Sequence, residues 1–232
     1  MKSSVRLSSM SVSVLLIIGF GVLFTFASEW YSNRVELEKL AYRERILHND
    51  MEHLEVVGKW TLDYVKIEKA LTYLLGDRLS EVSSRILTEQ LWQISQSYSL
   101  DPLIILAVVA QESRGNPLAR GRFQSGRFSG ALGLMQIKLE TATKMGRRFG
   151  VIVESEEDLM RPEVNVVVGA AYLIRLIGKY GNLREALVAY NLGHSAVDKL
   201  LEKSAPLPTS YYEGVIAKYK DLVAHCQLPT AL

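Results

Sequence analysis

The sequence predicts an all-α fold. Three observations carry that expectation: apolar residues recur at three-, four- and seven-residue steps, strong helix start and stop signals punctuate the chain, and no stretch shows convincing strand alternation. The 232 residues bound the chain to one or two domains. A hydrophobic fraction of 48% is ordinary for a protein with a buried core.

The elements follow in chain order. In residues 1–28, Lys2 and Arg6 precede an uncharged apolar run over 11–27, the layout of a secretory signal. Thr25-Phe26-Ala27 offers a cleavage site. Left uncleaved, the run is slightly shorter than the ~20 residues of a spanning helix, and Trp30 and Tyr31 suit an interfacial anchor. A signal peptide or a signal anchor is expected here, the uncleaved anchor being preferred. Either places the rest of the chain outside the cytoplasm. Residues 29–79 read as a helical extension or spacer, with Leu37, Leu40, Leu47, Met51 and Leu54 at helical spacing. One reading of 32–75 is a coiled coil or a helix that docks an envelope protein. The preferred reading is a solvated amphipathic helix lying against the domain, because Glu44, Gly58 and Thr61 break the heptad.

A helical domain is expected over 80–232. Glu81–Tyr98 reads as its first helix, with Ile86, Leu91, Trp92 and Ile94 available to the core. Asp101-Pro102 gives an N-cap and a proline at the first helical position, and this helix stops near Arg114-Gly115-Asn116-Pro117. Further helices are expected over 132–146, over 164–180 with Gly181 as C-cap, over 183–190 behind Asn182, from Ser195, and from Thr209 or Ser210 to about Ala224. No internal repeat is present.

Composition removes several function classes. A net charge of +2 gives no electrostatic footprint for nucleic acid. The single cysteine, Cys226, can form neither an internal disulfide framework nor a CxxC site, and reads as a core or idle thiol. The four histidines are scattered, and neither a Gly-rich phosphate loop nor a metal-spaced cluster occurs. No cofactor and no metal are expected.

The helix that begins at Asp101 is almost wholly apolar until Gln111-Glu112-Ser113. A carboxylate there is costly to bury ionised and lies at the unfavourable end of the helix dipole. Both effects raise a carboxyl pKa, as a general acid near neutral pH requires. From this helix alone an exposed last-turn glutamate is the better reading.

The neighbouring segments reverse that judgement. Glu112-Ser113-Arg114-Gly115-Asn116-Pro117 is followed by Gly130-Ala131-Leu132-Gly133-Leu134-Met135-Gln136-Ile137, then Gly169-Ala170-Ala171-Tyr172-Leu173, then Ala189-Tyr190-Asn191-Leu192-Gly193. In this order and spacing the set resembles the soluble lytic transglycosylase (SLT) domain, a relative of goose-type lysozyme. The resemblance spans roughly 86–219. Each motif is weak alone, and four in register are specific.

The resemblance implies a helical, lysozyme-like fold with a groove for peptidoglycan glycan strands of alternating N-acetylglucosamine and N-acetylmuramic acid. It implies that Glu112 is the only catalytic carboxylate, that the product carries a 1,6-anhydromuramoyl end, and that the protein works on the periplasmic side of the bacterial inner membrane or free in the periplasm. It assigns Ser113 to orienting Glu112 or the sugar, Met135 and Gln136 to the groove lining, and Tyr190 to the charge that develops near Glu112. Asn191 equally suits a turn beside Gly193. Tyr211 aligns with a family tyrosine whose hydroxyl points at the catalytic site, and Tyr212 competes for that place.

Three departures stand out. Lys138-Leu139 replaces the usual Met-Pro, Leu192 replaces an alanine, and residues 120–128, ArgGlyArgPheGlnSerGlyArgPhe, exceed the common loop by several positions. That loop reads equally as a solvated connection or as a lid whose arginines meet acidic peptide stems and whose phenylalanines stack on sugars. A hydrolytic muramidase on the same fold would need a second carboxylate, for which Glu140 and Glu163 are distant candidates. A glycan-binding assembly factor of an envelope-spanning complex is the alternative without turnover.

Overall fold

The computed structural model describes residues 9–147 and 149–226. Among the described residues nine α-helices dominate: α1 (Ser9–Leu75), α2 (Glu81–Tyr98), α3 (Pro102–Ser113), α4 (Leu139–Gly146), α5 (Glu156–Met160), α6 (Pro162–Tyr180), α7 (Leu183–Leu192), α8 (His194–Glu202) and α9 (Ser210–Cys226). A 3-10 turn at Gly76–Arg78 separates α1 from α2. The chain divides into two compact units, residues 1–59 and 60–232.

In the first unit Leu37, Leu40 and Leu47 of α1 face solvent, at 66%, 55% and 63% exposed. Pairs one helical turn apart, such as Arg34–Glu38 at 3.7 Å, run along the same helix. Residues 1–8 of the expected signal or anchor lie outside the described residues. Among the described residues no helix is long and apolar enough to cross a membrane.

The second unit begins at Trp60, ahead of the boundary expected at 80. Ile67, Ala70, Leu71 and Leu75 are at most 1% exposed. Their spacing puts them on one helical face, so the end of the stretch read as spacer is a core element. Ser80 caps α2 by accepting the Ser83 N–H at 3.1 Å. Leu87, Thr88 and Leu91 face inward from α2, whereas Ile86 is 41% exposed, one position off the expected stripe. Asp101 caps α3 by accepting the Leu103 N–H at 2.9 Å. Leu103 to Ala110 are all buried, so α3 runs through the core. Helix α9 packs along α3, and α6 packs against α2, α4 and α7. Gly181 closes α6 and Asn182 caps α7, as their sequence signals predict. Cys226 is buried, as expected of a core thiol.

The fold is mainly helical, with one small sheet that strand patterning did not reveal. Strands β1 (Arg120–Arg122), β2 (Phe128–Leu132) and β3 (Ile137–Lys138) form an antiparallel sheet in the order β1-β2-β3. The helix expected over 132–146 is therefore only α4, opening at Leu139. Gly133 and Gln136 have φ of +74° and +48°, which a right-handed helix cannot contain. A buried asparagine on α6 stabilises that turn. Asn165 accepts the Met135 N–H at 2.7 Å and donates to the Leu132 and Leu159 carbonyls at 2.9 and 2.8 Å. A Cβ on Gly133 would lie 2.2 Å from the Asn165 amide nitrogen, so the turn requires glycine there.

Candidate active site

The last turn of α3 delivers Glu112 to the floor of an open cavity of ≈ 510 Å³. The Tyr211 hydroxyl, from the first turn of α9, donates to Glu112 Oε1 at 2.5 Å. Burial pushes the Glu112 carboxyl above the ordinary glutamate range, and the Tyr211 hydrogen bond draws it partly back. Burial and the neighbouring Glu112 charge both keep the Tyr211 phenol protonated. Tyr211, the residue the sequence favoured, and not its competitor Tyr212, is thus the one whose hydroxyl reaches Glu112.

Tyr190, from α7, stands over the same cavity with its hydroxyl donating to the Met135 carbonyl at 2.9 Å. Its ring lies 5.4 Å from that of Tyr172, which also faces the cavity. Gln136 donates through Nε2 to the Gly133 and Ala119 carbonyls, at 2.9 and 3.2 Å. Its amide nitrogen braces the base of the sheet, and its oxygen is left to accept from a ligand. Asn191 and Leu192 form the exposed rim.

Glu112, Gln136, Tyr190 and Asn191 therefore share one cavity, with Tyr211 behind the carboxylate. Two expected site residues lie elsewhere. Met135 is fully buried with its sulfur against Gly169, so it supports the site through its carbonyl and does not line the groove. The Ser113 hydroxyl donates to the Val109 carbonyl at 3.1 Å within α3, and Ser113 is absent from the cavity wall. Sequence reasoning missed Lys138 and Thr141 on the wall, gave Tyr172 no role, and passed over Asn165. Tyr172 lay inside a motif already singled out, and Asn165 was visible as a polar residue in the apolar start of α6.

Among the described residues that line the cavity, Glu112 is the only carboxylate. Glu140 is paired with Lys144 at 2.7 Å on the exposed side of α4. Glu163 accepts the Ser83 hydroxyl at 2.7 Å. Among the described residues no group of three or more His, Cys, Asp or Glu is placed to hold a metal ion. The wall thus presents one enclosed acid, aromatic faces and amide groups, a set suited to proton transfer on a polyhydroxylated ligand.

Comparison with known proteins finds sequence similarity to transglycosylases. The family model described as "Transglycosylase SLT domain" matches residues 90–212, which contain every cavity residue named above. The "Transglycosylase" of Enterobacteria phage PRD1 is 38% identical over 105 residues, 45% of this chain and 34% of that protein. The "Endo-type membrane-bound lytic murein transglycosylase A" of Klebsiella pneumoniae is 42% identical over 79 residues, 33% of this chain and 36% of that protein. The chain spans between 18% and 36% of the length of the curated relatives it matches. Among solved structures, lytic transglycosylase Slt from Pseudomonas aeruginosa aligns with a TM-score of 0.43 and 26% identity, covering 60% of this chain and 23% of that one.

Proposed function

The chain belongs to the transglycosylase SLT domain family, and on that premise we propose that it is a peptidoglycan lytic transglycosylase with Glu112 as its single acid/base. The observation that carries this reading is the enclosed Glu112 carboxyl, alone among the described cavity residues in its charge type and set against the Tyr211 hydroxyl. Burial raises its pKa, which favours the protonated form that the first step needs. It gives its proton to the glycosidic oxygen that links N-acetylmuramic acid to the next N-acetylglucosamine. The bond to C1 breaks, and the leaving sugar departs with that proton. Glu112, now a carboxylate, takes the proton from the C6 hydroxyl of the same muramic residue, whose oxygen closes on C1. The product end is 1,6-anhydromuramoyl, no water is consumed, and Glu112 is protonated again.

The surrounding residues have supporting parts. Tyr211 orients the carboxyl and eases its ionisation in the second half of the cycle. Tyr190 walls the position where positive charge develops at C1, and Gln136 and Asn191 offer amide groups to sugar hydroxyls and acetamido groups. Ser113 secures the last turn of α3 and so acts through Glu112. A hydrolytic muramidase needs a second carboxylate across the sugar to direct water, and the described wall supports the lyase chemistry better.

The site of action in this reading is peptidoglycan on the outer side of the bacterial inner membrane. Residues 1–28 would be the export signal or anchor, and the part of 32–75 ahead of the core face that opens at Ile67 would be the segment that meets an envelope protein. The full chain carrying Glu112→Gln is expected to bind glycan strands and release no fragments. Turnover retained by that variant would move the acid role elsewhere, and a parent that binds strands without cutting them would favour an assembly factor.

A further inference from the structure

The elongated hairpin gives the cavity a charged wall. Arg122 at the end of β1, Phe123 just after it, and Lys138 before α4 all line it. Two arginine–phenylalanine pairs hold the hairpin together. The Arg122 guanidinium sits 4.0 Å over the Phe128 ring, its cross-strand neighbour, and Arg127 lies 5.6 Å over Phe123. Arg122 Nη1 donates to the Gly126 carbonyl at 2.9 Å. The stacked plane and that bond fix the guanidinium before any ligand arrives, which lowers the entropy cost of using it.

The two cations that line this wall, Arg122 and Lys138, make no direct ion pair among the described residues, although Lys138 lies near enough to Glu140 to add to Lys144 in lowering its carboxyl pKa. Arg120 is paired with Glu156 at 2.8 Å, whereas among the described residues Arg122, Arg127 and Lys138 have no ion pair. With Nη1 committed to Gly126, the Nε–Nη2 edge of Arg122 remains, and that edge meets a carboxylate through two parallel N–H···O bonds. We propose that Arg122 and Lys138 form a subsite for carboxylates that the glycan carries outside its sugar backbone, namely the acidic peptide stems of peptidoglycan. This rests on the substrate reading given above and adds a preference to it: strands with intact stems are favoured over stripped ones. The phenylalanines position the arginines, so the preference is electrostatic.

The test measures binding by the full chain in a Glu112→Gln background, using soluble glycan strands with intact stems and the same strands stripped of stems by an amidase. The lactyl carboxylates that cleavage exposes are then capped as neutral amides. Intact strands are expected to bind about tenfold more tightly, the scale of one charge-assisted hydrogen bond. The preference should shrink as salt is raised. Adding Arg122→Gln together with Lys138→Gln should bring the ratio of the two affinities toward one, and Arg122→Lys alone should keep part of it. Equal affinity of the parent for both strands, or a ratio that survives the double substitution, overturns the subsite while leaving the glycan reading intact. Failure of the parent to bind either strand overturns the substrate reading and the subsite together.

Discussion

Replacing Asn165 with alanine should cost the domain more than any surface change, and the structure sets the scale. The side chain is 1% exposed and joins three backbone groups: the Met135 N–H at 2.7 Å and the Leu132 and Leu159 carbonyls at 2.9 and 2.8 Å. Each buried group left unpaired costs about 1–3 kcal/mol, and relief from desolvating the amide offsets part of the sum. A net loss of about 3–5 kcal/mol follows, a large share of the ~5–15 kcal/mol that holds a typical domain. At ~2–4 °C per kcal/mol for a chain of this size, the melting temperature should fall by roughly 10 °C. The loss reaches the site, because the same turn carries Gln136 and the Met135 carbonyl that receives the Tyr190 hydroxyl. Thermal and urea unfolding followed by near-ultraviolet dichroism measure the stability, and hydrogen exchange at the Met135 N–H reports the turn directly. Asn165→Asp keeps an acceptor for Met135 but turns an oxygen toward two carbonyls, so it should be no better than alanine. A loss below about 1 kcal/mol with Met135 still protected would refute this account of the turn.

Glu112→Gln should alter stability in a pH-dependent way. Below the ordinary glutamate pKa the carboxyl is protonated folded or unfolded; as pH rises through that value the unfolded chain ionises first, so the parent loses stability until the raised folded pKa is passed. The variant should therefore melt higher than the parent at neutral pH and match it near about pH 3; an offset constant across that range would contradict the raised pKa. Tyr211→Phe removes the hydrogen bond that draws the Glu112 carboxyl down, so the alkaline limb of the rate profile should move to higher pH and kcat should fall about tenfold. Tyr212→Phe is the control and should leave that limb in place. Asp101→Ala loses the cap to the Leu103 N–H and the Tyr219 hydroxyl bond and should cost about 1–2 kcal/mol, with kcat of the folded fraction unchanged.

Local signals carried much of the fold into the sequence. Asp101-Pro102, Gly181 and Asn182 mark helix ends through groups the backbone itself must satisfy, and each cap forms as read. The sheet was hidden because its strands are short and half-exposed, and because its turns depend on positive φ at Gly133 and Gln136, stabilised by Asn165 from another helix. The extension over 60–75 looked like spacer because it continues the helically spaced, charge-bearing stretch that precedes it without a break, while its buried face emerges only against partners distant in sequence. At the site, motif order brought Glu112, Gln136, Tyr190 and Asn191 into view together. It could not separate Met135, whose side chain belongs to the core, from Gln136 beside it. It put Tyr211 ahead of Tyr212 only by alignment; the packing of α9 along α3 is what brings the Tyr211 hydroxyl to Glu112.

The most direct test of the central claim is mass spectrometry of the ends released when the full chain, and the full chain with Glu112→Gln, digest peptidoglycan. The account predicts 1,6-anhydromuramoyl ends from the parent and no fragments from the variant. Reducing muramic ends from the parent would contradict it, since they require water and a second catalytic group that the described cavity wall does not supply.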